Sequence, residues 1–374
     1  MEAKQQPDVV VSGVQPSGAL HLGNYFGAIR QHVELADDEA RRDAAYYFIV
    51  NYHALTTVHD RDALERYTLD VALDYLALGF DPEKAALFLQ SDVPEVAELA
   101  WVFLCLMPTS RLELGVAYKD KVEAGLTANA GLFTYPVLQA ADILIYGGTR
   151  VPVGADQKQN IEISRDLAAR FNAAFCPEDE PVFPLPEPLI LDDVAVVPGT
   201  DGRKMSKSYG NTIGLFDEGK ALKKQVMGII TDSTPLEAPK DPATDNVFAL
   251  IRLFASEEEQ AEIAARYRAG GYGYGHAKKA LLGMIDAYFA PARERRRELA
   301  KDPDTVRDVL RDGARKARQK AEPIMERVRA RTGLLTTRLH PLPEGRPAAP
   351  THTPAPHPPQ RPYNHTHAER GPPT

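Results

Sequence analysis

Two short stretches carry side chains whose types and spacing suit phosphate chemistry. The first reads Gln15-Pro16-Ser17-Gly18-Ala19-Leu20-His21-Leu22-Gly23-Asn24 and follows an apolar run that ends at Gly13. A strand that passes through a small-residue turn into a helix leaves unpaired N–H groups and a positive dipole end facing a phosphate. Gly18 and Gly23 permit close backbone approach, and His21 stands beside the first helical turn. Alone, such a turn is weak evidence of nucleotide binding, and His21 could equally cap the helix. The second stretch is Gly202-Arg203-Lys204-Met205-Ser206-Lys207-Ser208. Two lysines three residues apart among serines, flanked by Gly202 and Gly210, make a mobile polyphosphate clamp. Each ammonium is a flexible point charge, suited to a pyrophosphate whose charge shifts during reaction. The plainer reading is a polar surface loop. It loses ground because a phosphate turn lies upstream in the same expected sheet.

The elements around these stretches must hold them together. Residues 9–13 (VVVSG) read as a buried parallel strand, as do 45–50 (AYYFIV) and 86–90 (ALFLQ). Helical patterns separate them, one running from the turn through His32 and one over 62–78. Strands alternating with helices imply a parallel sheet covered on both faces. Residues 98–150 are expected to be mostly helical, an insertion that interrupts the alternation. A short strand at 151–153 and a helix at 157–171 follow. The fold class is therefore α/β, a Rossmann-like parallel-sheet catalytic domain over 1–212 with a helical insertion, plus a C-terminal α-helical domain over 213–335. In that second part the strand signal disappears. Ser256 with Glu259 forms a capping box before an amphipathic run to Arg268, and 276–300 and 305–332 are further helices. Residues 341–374 hold 11 of the chain's 30 prolines and four of its ten histidines. Such a tail cannot bury enough apolar surface to offset its ordering entropy, so disorder is expected.

Composition narrows the class. Hydrophobic residues make up 44% and charged residues 26%, which suits a soluble globular protein. Cys105 and Cys176 stand far apart without C-x-x-C spacing, which argues against a zinc ribbon or a disulfide framework. The first residues, MEAKQQPDVVVSG, lack the apolar run of a secretory signal, and no stretch is long enough to span a membrane. A cytoplasmic protein is expected. The net charge of -8 does not itself point to nucleic acid. One segment departs from that balance: nine Lys/Arg against four acids lie between Arg307 and Arg331. It reads either as an RNA-backbone contact or as an ordinary solvated helix face.

Together the two phosphate stretches resemble the two signatures of class I aminoacyl-tRNA synthetases. The first matches the family's His-Ile-Gly-His element, here His21-Leu22-Gly23-Asn24 with Asn24 in place of the second histidine. The second is a literal Lys-Met-Ser-Lys-Ser match, and order and separation also agree. Tyr135-Pro136-Val137-Leu138-Gln139-Ala140-Ala141-Asp142, Pro152-Val153-Gly154-Ala155-Asp156-Gln157 and the Ser12–Gly18 turn look like the bacterial tryptophanyl branch and its tyrosyl relatives. The likeness runs with few gaps from about Val11 to Leu334.

The resemblance implies ATP-dependent activation of L-tryptophan and transfer to tRNA(Trp), with catalysis by His21, Lys204 and Lys207. It places ATP against Gln15, Pro16, Ser17, Gly23 and Asn24, then Gly154, Ala155 and Asp156, and against Lys204, Met205, Ser206, Lys207 and Ser208. Ala155 stands where glutamate is usual. Tryptophan falls to Asp142, Val11, Tyr135, Gln139, Gln157 and His53, although Gln139 replaces a common methionine. An indole N–H only donates, so it needs a buried acceptor, and apolar neighbours from Leu138 to Tyr146 suit Asp142 to that role. Lys119 and Lys121 match lysines that reach phosphates from the insertion. Mg²⁺ is implied on the ATP phosphates without protein ligands, and a homodimer is implied as well. Two alternatives stay open: a tyrosyl enzyme, and a tryptophan-binding paralogue that charges no tRNA. Val11 speaks against tyrosine, since it stands where tyrosyl pockets commonly place a tyrosine and cannot hydrogen-bond.

Overall fold

The apolar run at 9–13 becomes the middle strand of a five-stranded parallel sheet. The computed structural model describes residues 8–39, 43–115, 118–119, 123, 128–154, 158–189 and 197–334. Lys121, Ala155, Asp156, Gln157 and the tail at 341–374 lie outside the described residues. The strands are β1 (Val10–Val14), β2 (Ala45–Ile49), β3 (Ala86–Leu89), β4 (Arg150–Pro152) and β5 (Glu187–Leu189), in the order β3-β2-β1-β4-β5. Val10 faces Ala45, Val14 faces Ile49, and Tyr46 faces Ala86.

Alternate residues of each strand enter opposite cores, as the two-residue period of a strand requires. Val10, Tyr47, Ile49 and Leu87 join one apolar cluster, while Val11, Tyr46, Phe48 and Phe88 join the other. Both faces are covered, so the strands read as continuous apolar runs rather than alternating ones. β5 went unseen in the sequence because Pro186 and Pro188 break its pattern. Proline is tolerated there because β5 is an edge strand.

The first helix, α1, is not uniform. It opens as Leu22–Asn24, widens to a π-helix over Tyr25–Ile29 and returns to α over Arg30–Ala36. After β2 come α2 (Asn51–Ala54) and α3 (Arg61–Ala77), and Asp60 caps α3 by accepting from the Ala63 N–H. A 3₁₀ turn, Gln90–Asp92, ends β3. The insertion holds α4 (Glu95–Leu104), α5 (Thr109–Leu112) and α6 (Ala130–Leu144), the last capped by Asn129. α7 (Lys158–Phe175) links β4 to β5.

Beyond residue 212 the described elements are helical: α8 (Gly219–Met227), α9 (Asn246–Ile251), α10 (Glu257–Ala269), α11 (Tyr274–Leu299) and α12 (Pro303–Thr332). The Ser256/Glu259 capping box forms as the sequence implies. The first core runs on past residue 212, joining Val10 and Tyr47 to Leu222, Leu250, Ile285 and Phe289.

α12 returns to the sheet and lies along edge strand β3. Ala314, Ala317, Ala321 and Met325 enter the second core. Contact is so close at Gly313 that a Cβ there would fall 2.0 Å from the Leu87 carbonyl oxygen. The basic residues of α12 are largely held by the protein itself. Arg307, Arg311 and Arg315 pair with Asp304, Asp308 and Asp312 on the same helix. Lys316 and Arg318 donate to the Pro82 and Asp92 carbonyls, Arg327 to the Pro181 carbonyl, and Arg329 and Arg331 pair with Glu98 and Glu180. From Lys316 onward the run ties α12 to α4 and to connections beside the sheet, while its first three arginines pair within the helix.

Gly313→Ala is therefore expected to lower stability by about 1–3 kcal/mol, because backbone must move to admit the methyl. Gly283→Ala, in open space within α11, is expected to raise it by roughly 0.5–1 kcal/mol through helix propensity. Urea denaturation of the two variants decides the point. Equal stability would show that the Gly313 contact does not constrain α12.

Candidate active site

The connections leaving β1 and β4 set the place of the site. β1 pairs with β2 on one side and with β4 on the other, so the covering connections diverge at its carboxyl end. In open parallel sheets ligands bind in the crevice at such a switch point. A cavity of about 510 Å³ opens there, lined by Val11, Ser12 and Gln15 from β1 and its turn and by Val153 and Gly154 after β4. His53 and the α6 residues Tyr135, Gln139 and Asp142 complete the wall. The three α6 residues stand at i, i+4 and i+7, on one face of the helix. A larger cleft, about 1060 Å³, lies between α3 and α12 and holds none of the motif residues.

Asp142 is the polar centre of this cavity and is only 2% exposed. His53 Nε2 lies 2.9 Å from its Oδ2, and Gln90 Nε2 donates to both carboxylate oxygens at 2.8 Å. Gln90 is fixed in turn, because its Oε1 accepts the Tyr52 N–H. Burial raises the Asp142 pKa above the usual carboxylate range, and the bonds from His53 and Gln90 pull it the other way. A carboxylate offers about four lone-pair sites, so acceptor capacity is left for a ligand in the cavity. Gln90 escaped the sequence reading. Its signal was a polar residue closing an apolar strand at the carboxyl end.

A second buried chain fixes the distance between β1 and β4. Ser12 Oγ donates to the Pro152 carbonyl at 3.2 Å and lies 3.0 Å from His32 Nε2. His32 Nδ1 lies 2.8 Å from the Tyr75 hydroxyl. With its proton on Pro152, Ser12 accepts from His32 Nε2–H, which leaves Nδ1 to accept from Tyr75. Burial brings the His32 pKa down to about 4, so the ring is neutral near pH 7. The chain ties the two strands that flank the crevice.

The two phosphate stretches meet beside it. Lys207 Nζ donates to the Gly18 carbonyl at 2.9 Å and to Ser17 Oγ at 3.2 Å. Gly18 takes φ +102°, a conformation that favours glycine. The Gly23 N–H donates to Met205 Sδ at 3.4 Å, and Asn24 Oδ1 accepts the His21 N–H. A side chain at Gly23 would press on the His21 ring at 3.0 Å. Burial, and then the charge of Lys207, lowers the His21 pKa to about 4. His21 is thus a neutral hydrogen-bonding group, and its buried Nδ1 has no partner among the described residues. Around the clamp, Asn211 accepts the Ser206 N–H and donates to Asp201, while Arg203 stacks over the Tyr209 ring.

The structure thus gathers Val11, Gln15, His53, Tyr135, Gln139, Asp142 and Gly154 around one cavity. It brings Ser17, His21, Gly23, Asn24, Met205 and Lys207 together next to it, with Pro16 buried in the turn between. Ser206 and Ser208 share a 2.9 Å hydroxyl contact on the loop. Lys204 and Lys119 are exposed, and no contact among the described residues ties either side chain to the cavity.

Residues 3–290 match the family model described as tRNA synthetases class I (W and Y). The tryptophan–tRNA ligase of Rhodopirellula baltica is 53% identical over 325 residues, which are 87% of this chain and 99% of that protein. The ligase of Fusobacterium nucleatum is 51% identical over 325 residues, 87% of this chain and 98% of that one. Among solved structures, the tryptophanyl-tRNA synthetase of Campylobacter jejuni complexed with ADP and tryptophan is 47% identical, with a TM-score of 0.80. That match covers 87% of this chain and 99% of the other. Matches of this length and identity agree with the chemistry of the crevice, and the chain belongs to the class I tRNA synthetases of tryptophan and tyrosine, in their tryptophan–tRNA ligase branch.

Proposed function

We propose that the crevice activates L-tryptophan with ATP and passes it to tRNA(Trp). The observation that carries this reading is Asp142, a buried carboxylate held by neighbours yet keeping acceptor capacity toward a 510 Å³ cavity. An indole N–H suits it, being a donor with no acceptor of its own. Val11, fully buried at the cavity wall, offers a phenol hydroxyl nothing, which weighs against tyrosine. The relative solved with ADP and tryptophan supports the same pair of ligands here.

In this mechanism the tryptophan carboxylate attacks the α-phosphorus of ATP, and pyrophosphate leaves. Gln15, Pro16, Ser17, Gly23 and Asn24 with Gly154, Ala155 and Asp156 bind the nucleotide. Tyr135, Gln139, Gln157 and His53 position the amino acid. Neutral His21 hydrogen-bonds a phosphate oxygen, while Lys204 and Lys207 stabilise charge on the departing pyrophosphate. The clamp closes once both substrates are bound, with Met205, Ser206 and Ser208 carrying it. Mg²⁺ would ride on ATP's own phosphate oxygens, where it offsets their charge. Lys119 and Lys121 approach the phosphates from the insertion. A terminal ribose hydroxyl of tRNA then attacks the adenylate and releases AMP. The helical part, 213–335, serves tRNA binding beside the catalytic part, 1–212. Two copies pair in the cytoplasm, as the family resemblance implies. Among the described residues no helix is long and apolar enough to cross a membrane.

Pyrophosphate exchange into ATP is expected with tryptophan and not with tyrosine. Asp142→Ala is expected to weaken tryptophan binding far more than ATP binding. A tyrosine preference in kcat/KM would overturn the substrate, and equal losses for both ligands would make Asp142 structural.

Lys207→Ala is expected to slow adenylate formation while leaving the tryptophan dissociation constant nearly unchanged. Losing one such charge from a transition state costs roughly 3 kcal/mol, about a hundredfold in rate. Single-turnover adenylate formation measures it, and an unchanged rate would remove Lys207 from the mechanism.

A further inference from the structure

The first half of the clamp is extended and forms one arm of a hairpin. The Met205 N–H donates to the Val197 carbonyl at 2.9 Å, and the Gly199 N–H donates to the Arg203 carbonyl at 2.7 Å. Pro198 and Lys204 face each other between these bonds. Along an extended chain the peptide groups alternate in direction, so the Lys204 carbonyl and the Ser206 N–H turn away from that arm. Both need a partner on the other side.

One side chain, Asn211, satisfies both. Its Oδ1 accepts the Ser206 N–H at 2.8 Å, and its Nδ2 donates to the Lys204 carbonyl at 3.2 Å and to Asp201 Oδ1 at 2.6 Å. The amide pairs with the clamp as a neighbouring strand would. Its orientation is settled by these partners, because the reversed amide would set its oxygen against a carbonyl and a carboxylate. Asn211 is only 2% exposed, and both of its amide protons are used. Its own place is fixed as well. The Thr200 N–H donates to its carbonyl at 2.9 Å, and Gly199 leaves room for the amide, which a Cβ there would overlap.

Met205 is thereby held from both sides, and its buried Sδ accepts the Gly23 N–H of the phosphate turn. Ser206 is still extended, and the 3₁₀ turn Lys207–Tyr209 starts directly after it. The backbone between Lys204 and Lys207 is thus the stretch that the amide pins. We infer that Asn211 is a positioning residue for the clamp: standing in for a strand, its amide fixes the backbone span between the two lysines and so where their charges meet the phosphates. This rests on the reading that those lysines stabilise the departing pyrophosphate. Long lysine stems place charge accurately only when the backbone beneath them is fixed in advance.

The test is single-turnover adenylate formation at saturating tryptophan and ATP. Asn211→Ala is expected to slow it about thirtyfold with the tryptophan dissociation constant unchanged. In a Lys207→Ala background the same substitution is expected to cost about threefold or less, the share that passes through Lys204. Equal losses in the two backgrounds would show that Asn211 only supports the fold, and no loss in the parent would equally sink the inference. If Asn211→Ala is unfolded at the assay temperature, the same two-background comparison passes to the isosteric Asn211→Asp. That carboxylate still accepts from Ser206 but faces Asp201 and cannot donate to Lys204, so a loss of at least tenfold is expected in the parent and little in Lys207→Ala. Adding Asp201→Asn restores a donor–acceptor pair between 201 and 211 and is expected to bring the rate back to within about threefold. A swap no faster than Asn211→Asp alone would overturn the role of the amide. An unchanged rate in Lys207→Ala itself would overturn the clamp reading together with this one, whereas equal losses in both backgrounds overturn this one alone.

Discussion

Everything at this site depends on β1 being the strand where the sheet's connections part. Its pairing with β2 on one side and β4 on the other opens the crevice at its carboxyl end. That position demands burial on both faces, hence the unbroken Val9-Val10-Val11. It also demands a sharp exit toward a helix, hence Gly13, Pro16 and Gly18. The Ser12–His32–Tyr75 chain then sets the width of the crevice by clipping Ser12 to Pro152. A hydroxyl and a neutral imidazole do this without bringing a charge under the nucleotide turn. Their cost of burial is met by full pairing rather than by solvent.

The charged groups follow a different logic. Asp142 and Asp74 sit where water is scarce, whereas Lys207 is half-buried, and Asp142 has partners that leave part of its capacity unused. Gln90 and His53 hold Asp142 without a permanent formal charge from Gln90, so the carboxylate stays a strong acceptor. Arg296 takes Asp74 and reaches Asp70 with the same guanidinium. Lys207 itself rests on a carbonyl and a hydroxyl, neutral acceptors that a phosphate can displace. Preorganised charge of this kind is useful because little must rearrange when the reaction develops charge.

Much of this was legible in the sequence, and the reasons differ by element. β1, β2 and β3 were visible because strands buried on both faces leave continuous apolar runs. α10 was visible because its capping box is local chemistry between Ser256 and Glu259. The clamp and the phosphate turn were visible only jointly, since each is a weak signal alone and together they match the two signatures of one family. β5 was hidden because its prolines contradict a strand unless one already knows it lies at an edge. Gln90, His32 and Asp74 were hidden for a deeper reason. Their partners lie 52, 20 and 222 residues away, and no local pattern announces a hydrogen bond over such separations. The π-helical widening of α1, which brings Ala28 to the cavity wall, has no periodicity of its own to betray it.

The basic run of α12 shows that charge counted along a sequence and charge left free at a surface are different quantities. Nine Lys/Arg on one helix suggest a nucleic-acid contact, and the sequence alone permits that. In the fold, Lys316, Arg318 and Arg327 end on backbone carbonyls, and Arg329 and Arg331 end on carboxylates of the sheet-bearing part. Each bond to a carbonyl satisfies an acceptor that would otherwise need water at a packed surface. Exposed ion pairs within the helix, such as Arg307 with Asp304, add little each, because solvent screens them. The larger contribution comes from apolar burial beneath: Gly313 admits the helix to the Leu87 backbone, and Ala314, Ala317 and Ala321 keep it close. Small residues set the approach, and Arg318, Arg327, Arg329 and Arg331 then hold the helix to the segments beside the sheet. A tRNA backbone drawn to this surface would have to compete with those intramolecular partners, so the net charge of the segment overstates its attraction for phosphate.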